Sequence, residues 1–255
     1  YVNGKLFGEP HVPLHFTKVS RELLIEAGEL LNLKEINPDI LGSMIQTVAS
    51  AEDRHLSGMH YTSVPNIMKV IKPLFLEELD NVFNKINDKY FNNQNKDITE
   101  KTRKENERHF IKELHVLLDR ISKIKFLDPA CGSGNFLIIT YKELRRLEIK
   151  ILLLAQQIEQ IDIMPISVIN LSQFNGIELD DFAHEVAKLS LWIAEHQMNE
   201  QMIAAIPGSI AQLLPLKDAG NIVQGNSLRI NWNKIVPHDK DNEVYIMGNP
   251  PYIGA

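Results

Sequence analysis

Two short segments hold residues whose types and spacing suit chemistry at a nitrogen atom. They are Asn249-Pro250-Pro251-Tyr252 and Asp128-Pro129-Ala130-Cys131-Gly132-Ser133-Gly134-Asn135. In the first, consecutive prolines fix the backbone and remove two N–H donors, which leaves carbonyl acceptors. The Asn249 side-chain oxygen is a further acceptor, and two acceptors side by side match the two hydrogens of an exocyclic amine. Tyr252 offers a π face on which an unstacked base can rest. The plainer reading is a rigid turn with a packed tyrosine. In the second segment, Gly132 and Gly134 let the backbone turn tightly and approach a ligand. A helix starting after the turn presents free N–H groups to an anion such as a carboxylate. Pro129, Ala130 and Asn135 belong to the same candidate binding loop. The loop has neither the G-x-G-x-x-G spacing of a dinucleotide site nor the G-K-[ST] ending of a phosphate loop. A simple strand-to-helix turn is the competing reading. Cys131 has no Cys-His-Asn arrangement to support a nucleophile.

Further candidates follow later strands. Glu178 closes an apolar run, where an acid can accept both hydroxyl hydrogen bonds of a ribose. Asp180 and Asp181 suit capping of the next helix instead. Asn226-Ser227 offers an amide suited to an adenine edge, or an ordinary Gly-Asn turn. The nine histidines, His11, His15 and His60 among them, lack a convincing ligand spacing, so no metal is expected.

The elements that must position these residues fall into two halves. Up to Ile121 the pattern is helical. Ser20 is a candidate cap for a helix over Arg21 to Leu33, and Asn37-Pro38-Asp39 precedes a second periodic stretch, Ile40 to Ala51. From Ser63 to Ile86, Ile67, Val70, Ile71, Leu74, Phe75, Leu79, Val82 and Phe83 form a stripe at helical spacing, which Pro73 should kink. Tyr90 to Glu107, rich in Asn, Lys, Asp and Glu, reads as a solvated, partly disordered excursion. Phe110 to Ile121 returns to helix. Beyond Ile124, strands are expected at Lys125–Asp128, Phe174–Ile177, Asn221–Gln224 and Val244–Met247. Helices are expected over Asn135 to Leu154 and from Asp181, with Phe182, Val186, Leu189 and Ile193 on one face. Such alternation implies right-handed crossovers and a parallel sheet, whose ligands lie beyond the strand carboxyl ends. Every candidate motif falls at such an end.

Composition narrows the class. The 255 residues are 44% hydrophobic and 24% charged, enough apolar material for a substantial core. No run approaches the ~20 apolar residues of a membrane span, and the first residues do not resemble a signal peptide. A lone cysteine excludes a disulfide framework, and a cytoplasmic location is expected. A net charge of −6 is unlike a phosphate-gripping surface. The chain begins without Met and stops directly after Asn249–Tyr252, so a piece of a longer protein is expected.

Asp128 to Leu137 followed by Asn249-Pro250-Pro251-Tyr252 resembles the gamma-class amino-methyltransferases of restriction–modification systems. Phe126 to Leu137, with Trp192 in the later helix, looks most like the MmeI-like fused restriction–modification enzymes. Gly58 to Ser63 is similar to the motif that precedes the glycine loop in that class. The resemblance implies S-adenosylmethionine as cofactor, with Tyr61, Thr62, Asp128 and Ala130 toward its methionine end. It also implies Glu178 at the ribose, and Leu179, Asn226 and Ser227 at the adenine. Many relatives have Asp where this sequence has Asn226. The implied fold is α/β, a doubly wound class I methyltransferase sheet truncated after its fourth strand. Residues 1–57 would be a helical spacer and 58–255 an incomplete cofactor-binding domain. The implied reaction is methyl transfer to adenine N6 of double-stranded DNA, held by a recognition domain outside this chain. Glutamine-N5 methylation of protein, cytosine-N4 methylation and a non-catalytic cofactor-binding module remain alternatives, and no oligomeric state is legible.

Overall fold

In the computed structural model, the described residues are 15–30, 62–94, 98–159, 165–210, 221–237 and 242–251. The expected helix over Ile40 to Ala51 and the boundary at residues 57 and 58 lie outside them. Helix α1 covers Lys18–Leu30 and has no buried residue. It starts ahead of the expected Arg21, because the Thr17 hydroxyl, rather than that of Ser20, accepts the free N–H of Ser20 at 3.1 Å.

Helix α2, Val64–Ile71, opens the expected helical stripe, with Ser63 at its N-cap position. It runs into a π-helical turn, Lys72–Leu76, and then α3, Glu77–Gln94. Pro73 causes the irregularity: it has no N–H and its ring crowds the preceding turn, so the Glu77 N–H reaches back to the Lys72 carbonyl. Helix α4 spans Glu100–Lys123 with Thr99 as its cap. The expected excursion over Tyr90 to Glu107 is therefore corrected: its described residues are mostly the facing ends of α3 and α4. The polar side chains form the solvated face of this pair. Tyr90 and Phe110 are buried edge-on against each other, with ring centroids 5.9 Å apart.

Strands β1 (Lys125–Asp128), β2 (Phe174–Glu178), β3 (Asn221–Gln224) and β4 (Val244–Ile246) form a parallel sheet in the order β3-β2-β1-β4. Helix α5, Asn135–Glu159, links β1 to β2, and α6, Asp181–Ala205, links β2 to β3. The chain then crosses to the other side of β1, so the order reverses between β1 and β4, the position where such sheets open a crevice. One face of the sheet carries stacked rings: Phe126 lies 5.2 Å from Phe174 and 5.9 Å from Tyr245, with Phe75 tilted over it at 5.0 Å. This face joins α5 and α6 to the helices before them in one core. Each fully buried ring contributes about 1.5–3 kcal/mol. The opposite face packs Leu127 and Ile177 against Val236 and the short helix α7, Trp232–Ile235. The doubly wound arrangement is present, with a thin second layer.

On α6 the fully buried line is Ala187, Leu191, Ala194 and Met198, whereas Phe182 is more than half exposed. The expected face over Phe182 to Ile193 is thus rotated toward the small residues, which let α6 approach the glycine loop. At the far end of the sheet, Arg120 of α4 grips both oxygens of Glu243 at 2.6 and 3.0 Å and also meets Glu78 of α3 at 2.8 Å. The Tyr245 hydroxyl donates to Glu243 at 2.9 Å, so β4 is pinned to the helical region.

Candidate active site

All four strands point their carboxyl ends at one edge, and the candidate residues gather there. Asp128 finishes β1 with 1% exposure. Its Oδ1 accepts the Ala130 N–H at 3.1 Å, which turns the chain through the half-buried Pro129 and Ala130. Burial pushes the Asp128 carboxyl up to about 7; the Ala130 N–H opposes the shift and the nearby charge of Glu178 adds to it.

Gly132 and Gly134 both adopt positive φ, at 53° and 86°. A Cβ on Gly132 would meet open space, whereas one on Gly134 would press Ala187 at 3.3 Å. The first glycine leaves the space beside its Cα open, and the second lets α6 close against the start of α5. Asn135 opens α5 at 8% exposure, and its side-chain oxygen is buried with no hydrogen-bond partner. Cys131 folds back over β2, with its N–H on the Ile177 carbonyl at 3.0 Å. Its sulfur fills the space that a Cβ on Gly176 would need, and burial raises its thiol well above the ordinary range. It packs as an inert thiol.

Glu178 ties two loops together. Its Oε2 accepts the Gly132 N–H at 2.7 Å and its Oε1 the Asp180 N–H at 2.9 Å. Asp180 caps α6 through the Ala183 N–H at 2.7 Å, as expected. Leu179 stands beside Glu178 with 68% exposure. After β3, Gly225 donates to the Glu178 carbonyl at 2.7 Å, bringing Asn226 and Ser227 to the same edge. Asn226 Oδ1 accepts the Leu228 N–H at 2.9 Å, forming the side-chain turn that was the plainer reading. The Ser227 carbonyl accepts the Trp232 indole N–H at 2.8 Å.

After β4, the Met247 N–H bonds the Leu127 carbonyl at 2.9 Å, and Gly248 passes directly over Asp128. A Cβ on Gly248 would lie 2.4 Å from Asp128 Oδ1, so only glycine lets the β4 loop approach that carboxyl. Asn249, Pro250 and Pro251 are then exposed at the edge. Asn249 Nδ2 donates to Thr62 Oγ1 at 3.2 Å. The structure thus joins Thr62, just ahead of α2, to the end of β4, while Tyr61 and Tyr252 lie outside the described residues.

The sequence-level reading missed Gly248 and the Thr62–Asn249 contact. A glycine directly before Asn249 was the available signal for the first; the second depends on tertiary placement.

The family model for the DNA-methyltransferase domain of MmeI matches residues 99–255. The chain belongs to that family. DNA methyltransferase A of Bacillus subtilis strain 168 is 54% identical over 255 residues, 100% of this chain and 26% of that protein. A Methanocaldococcus jannaschii protein named as a type II restriction enzyme and methyltransferase is 33% identical over 261 residues, 91% of this chain and 21% of its own. The solved structure of the type IIL restriction–modification enzyme MmeI in complex with DNA superposes with a TM-score of 0.80 at 37% identity. That match covers 100% of this chain and 31% of that one. The chain thus spans about a quarter of the length of the curated relatives it matches. In this member of the MmeI methyltransferase family, the glycine loop, Glu178 and Asn249 lie within the matched residues, whereas Thr62 lies before them.

Proposed function

We propose that this chain is the S-adenosylmethionine-binding part of a DNA methyltransferase that acts on adenine N6 within a restriction–modification system. The observation that carries the reading is the convergence of the glycine loop, Glu178, Thr62 and Asn249 on one sheet edge, with Gly248 seating Asn249 beside Asp128.

The residues fit the cofactor. The orphaned Asn135 oxygen is an acceptor awaiting a donor such as an ammonium. The open side of Gly132 admits a ligand, and Glu178 supplies a carboxylate for hydroxyl donors. Thr62, Tyr61, Asp128, Pro129, Ala130, Gly132, Gly134 and Asn135 would hold the methionine end, Glu178 the ribose, and Leu179, Asn226 and Ser227 the adenine. When bound, S-adenosylmethionine supplies a methyl group activated by its sulfonium charge.

Adenine N6 is a weak nucleophile because its lone pair is delocalised into the ring. Asn249 Oδ1 and the Pro250 carbonyl accept its two hydrogens, which localises that lone pair away from the ring. Pro251 stiffens the loop and Tyr252 stacks on the flipped base. No strong base is needed before attack; positioning and preorganised acceptors supply most of the rate. The chain's charge of −6 supports a DNA-gripping surface on a recognition domain elsewhere in the protein. A DNA-modifying role suits the cytoplasm; among the described residues no helix is long and apolar enough to cross a membrane.

The test uses the full-length protein with methyl-labelled cofactor and duplex DNA. The expected result is label in DNA, reduced at least about 100-fold by Asn249→Ala through loss of a preorganised acceptor, with S-adenosylhomocysteine binding retained. Label in protein but not in DNA contradicts the reading.

A further inference from the structure

The loop after β3 has little packing to hold it. Asn226, Leu228 and Arg229 are exposed, Leu228 at 90%. Most of its hydrogen bonds close it on itself: the Asn226 carbonyl accepts the Arg229 and Ile230 N–H groups at 2.9 and 3.2 Å, and Asn226 Oδ1 accepts that of Leu228. Such bonds give a turn its shape but not its place. Among the described residues, two bonds tie the loop to its surroundings. The Gly225 N–H donates to the Glu178 carbonyl at 2.7 Å, and the Trp232 indole N–H donates to the Ser227 carbonyl at 2.8 Å. The second bond admits one polarity, since an indole N–H only donates and a carbonyl only accepts.

Trp232 serves as an anchor because it is itself fixed. It opens α7, where the Val236 N–H returns to its carbonyl at 2.9 Å and Asn231 Oδ1 accepts the Asn233 N–H at 3.0 Å. Trp232 and Ile230 both pack against the buried cluster of Leu127, Ile177 and Val236. Leu127 and Ile177 each stand one residue ahead of a candidate carboxyl, Asp128 and Glu178. The loop is therefore braced on the same strand ends that carry the rest of the site.

We infer that Trp232 is a positioning residue for the cofactor: its indole N–H fixes the Asn226–Ser227 loop against the strand ends, and through that loop sets the preference of the site for an adenine base. This rests on the proposed placement of the adenine at Asn226 and Ser227. A loop without the anchor must be ordered by the ligand at a cost in affinity, and the cost falls on the base that the loop reads.

The measurement is calorimetric binding to the full-length protein of S-adenosylhomocysteine and of S-inosylhomocysteine, in which a ring carbonyl replaces the amine of the base. Trp232→Phe keeps an aromatic ring in the cluster but lacks the N–H. Benzothienylalanine at position 232 keeps the ring size and replaces the N–H by sulfur, should Trp232→Phe not fold. Both are expected to weaken S-adenosylhomocysteine binding about fivefold, and to narrow its advantage over S-inosylhomocysteine by a similar factor. A merely structural role would weaken both ligands alike and leave the ratio of the two Kd values as it was. A ratio equal to the parent's in a folded protein lacking the N–H overturns the inference, provided Asn226→Ala narrows it. A ratio that Asn226→Ala leaves unchanged overturns instead the placement of the adenine at this loop, and the inference with it.

Discussion

Asp128 ends its strand with the carboxyl sealed from water and covered by Gly248, and burial moves its titration up to about 7. The ordinary value is 3.8, so between pH 4 and 7 the folded chain holds a proton that the unfolded chain releases. Stability therefore falls as pH rises through that window, by on the order of a few kcal/mol for this group. Asp128→Asn keeps the acceptor for the Ala130 N–H and removes the titration. Thermal melts of the ligand-free chain should show the variant gaining on the parent as pH rises from 4 to 7, with little difference at pH 4. A constant difference across that range would mean that Asp128 is not the group responsible. The sequence shows an acid before a glycine turn, but not that this acid is dry, because the seal is Gly248, delivered by a strand far along the chain.

Among the elements, α5 and α6 hold the loops in place from beneath, and a buried polar cluster fixes their mutual position. Arg145 of α5 and Glu148, one turn later, are 1% and 0% exposed and lie 2.9 Å apart. Arg145 also donates to the Tyr141 hydroxyl at 2.6 Å and to Asn199 of α6 at 3.0 Å. Glu148 accepts from Ser167 at 2.8 Å and from the Val168 N–H at 2.6 Å, anchoring the segment that enters β2. Burial raises the Glu148 carboxyl, and Arg145 opposes that shift. Removing one partner strands the other charge, so Arg145→Ala should cost about 3–5 kcal/mol in denaturant unfolding. A loss below about 1 kcal/mol would show that water or another cation replaces the arginine. The strands were legible because short apolar runs ended in punctuating residues such as Asp128 and Glu178, and β1, β2 and β3 came out at or within one residue of the expected bounds. The Pro73 irregularity was legible for the same kind of local reason. The described helical residues of 90–94 and 100–107 were misread because polar composition masks amphipathic helices whose buried anchors, Tyr90 and Phe110, are widely spaced. The Arg145 cluster sits inside an apolar helix pattern, and only tertiary packing distinguishes it from a solvated charge pair.

At the scale of the whole molecule, the described part gathers the candidate cofactor residues at one sheet edge, and its charge offers little that would hold a polyanion. The net charge is −6, and the chain spans about a quarter of the curated relatives it matches. On the proposed function, binding of S-adenosylhomocysteine and binding of DNA should separate, the first retained by this chain and the second weak in it. In the proposed role, the acceptor pair of Asn249 and the Pro250 carbonyl suits an aromatic amine, and the same chemistry serves cytosine N4 or a glutamine amide. Only the identity of the methylated product distinguishes these targets. The most direct measurement is mass spectrometry of nucleosides from duplex DNA incubated with the full-length protein and cofactor bearing a deuterated methyl group. The expected product is deuteromethyl-N6-adenine; deuteromethyl-N4-cytosine, or a label found only on protein, would contradict the assignment of adenine N6.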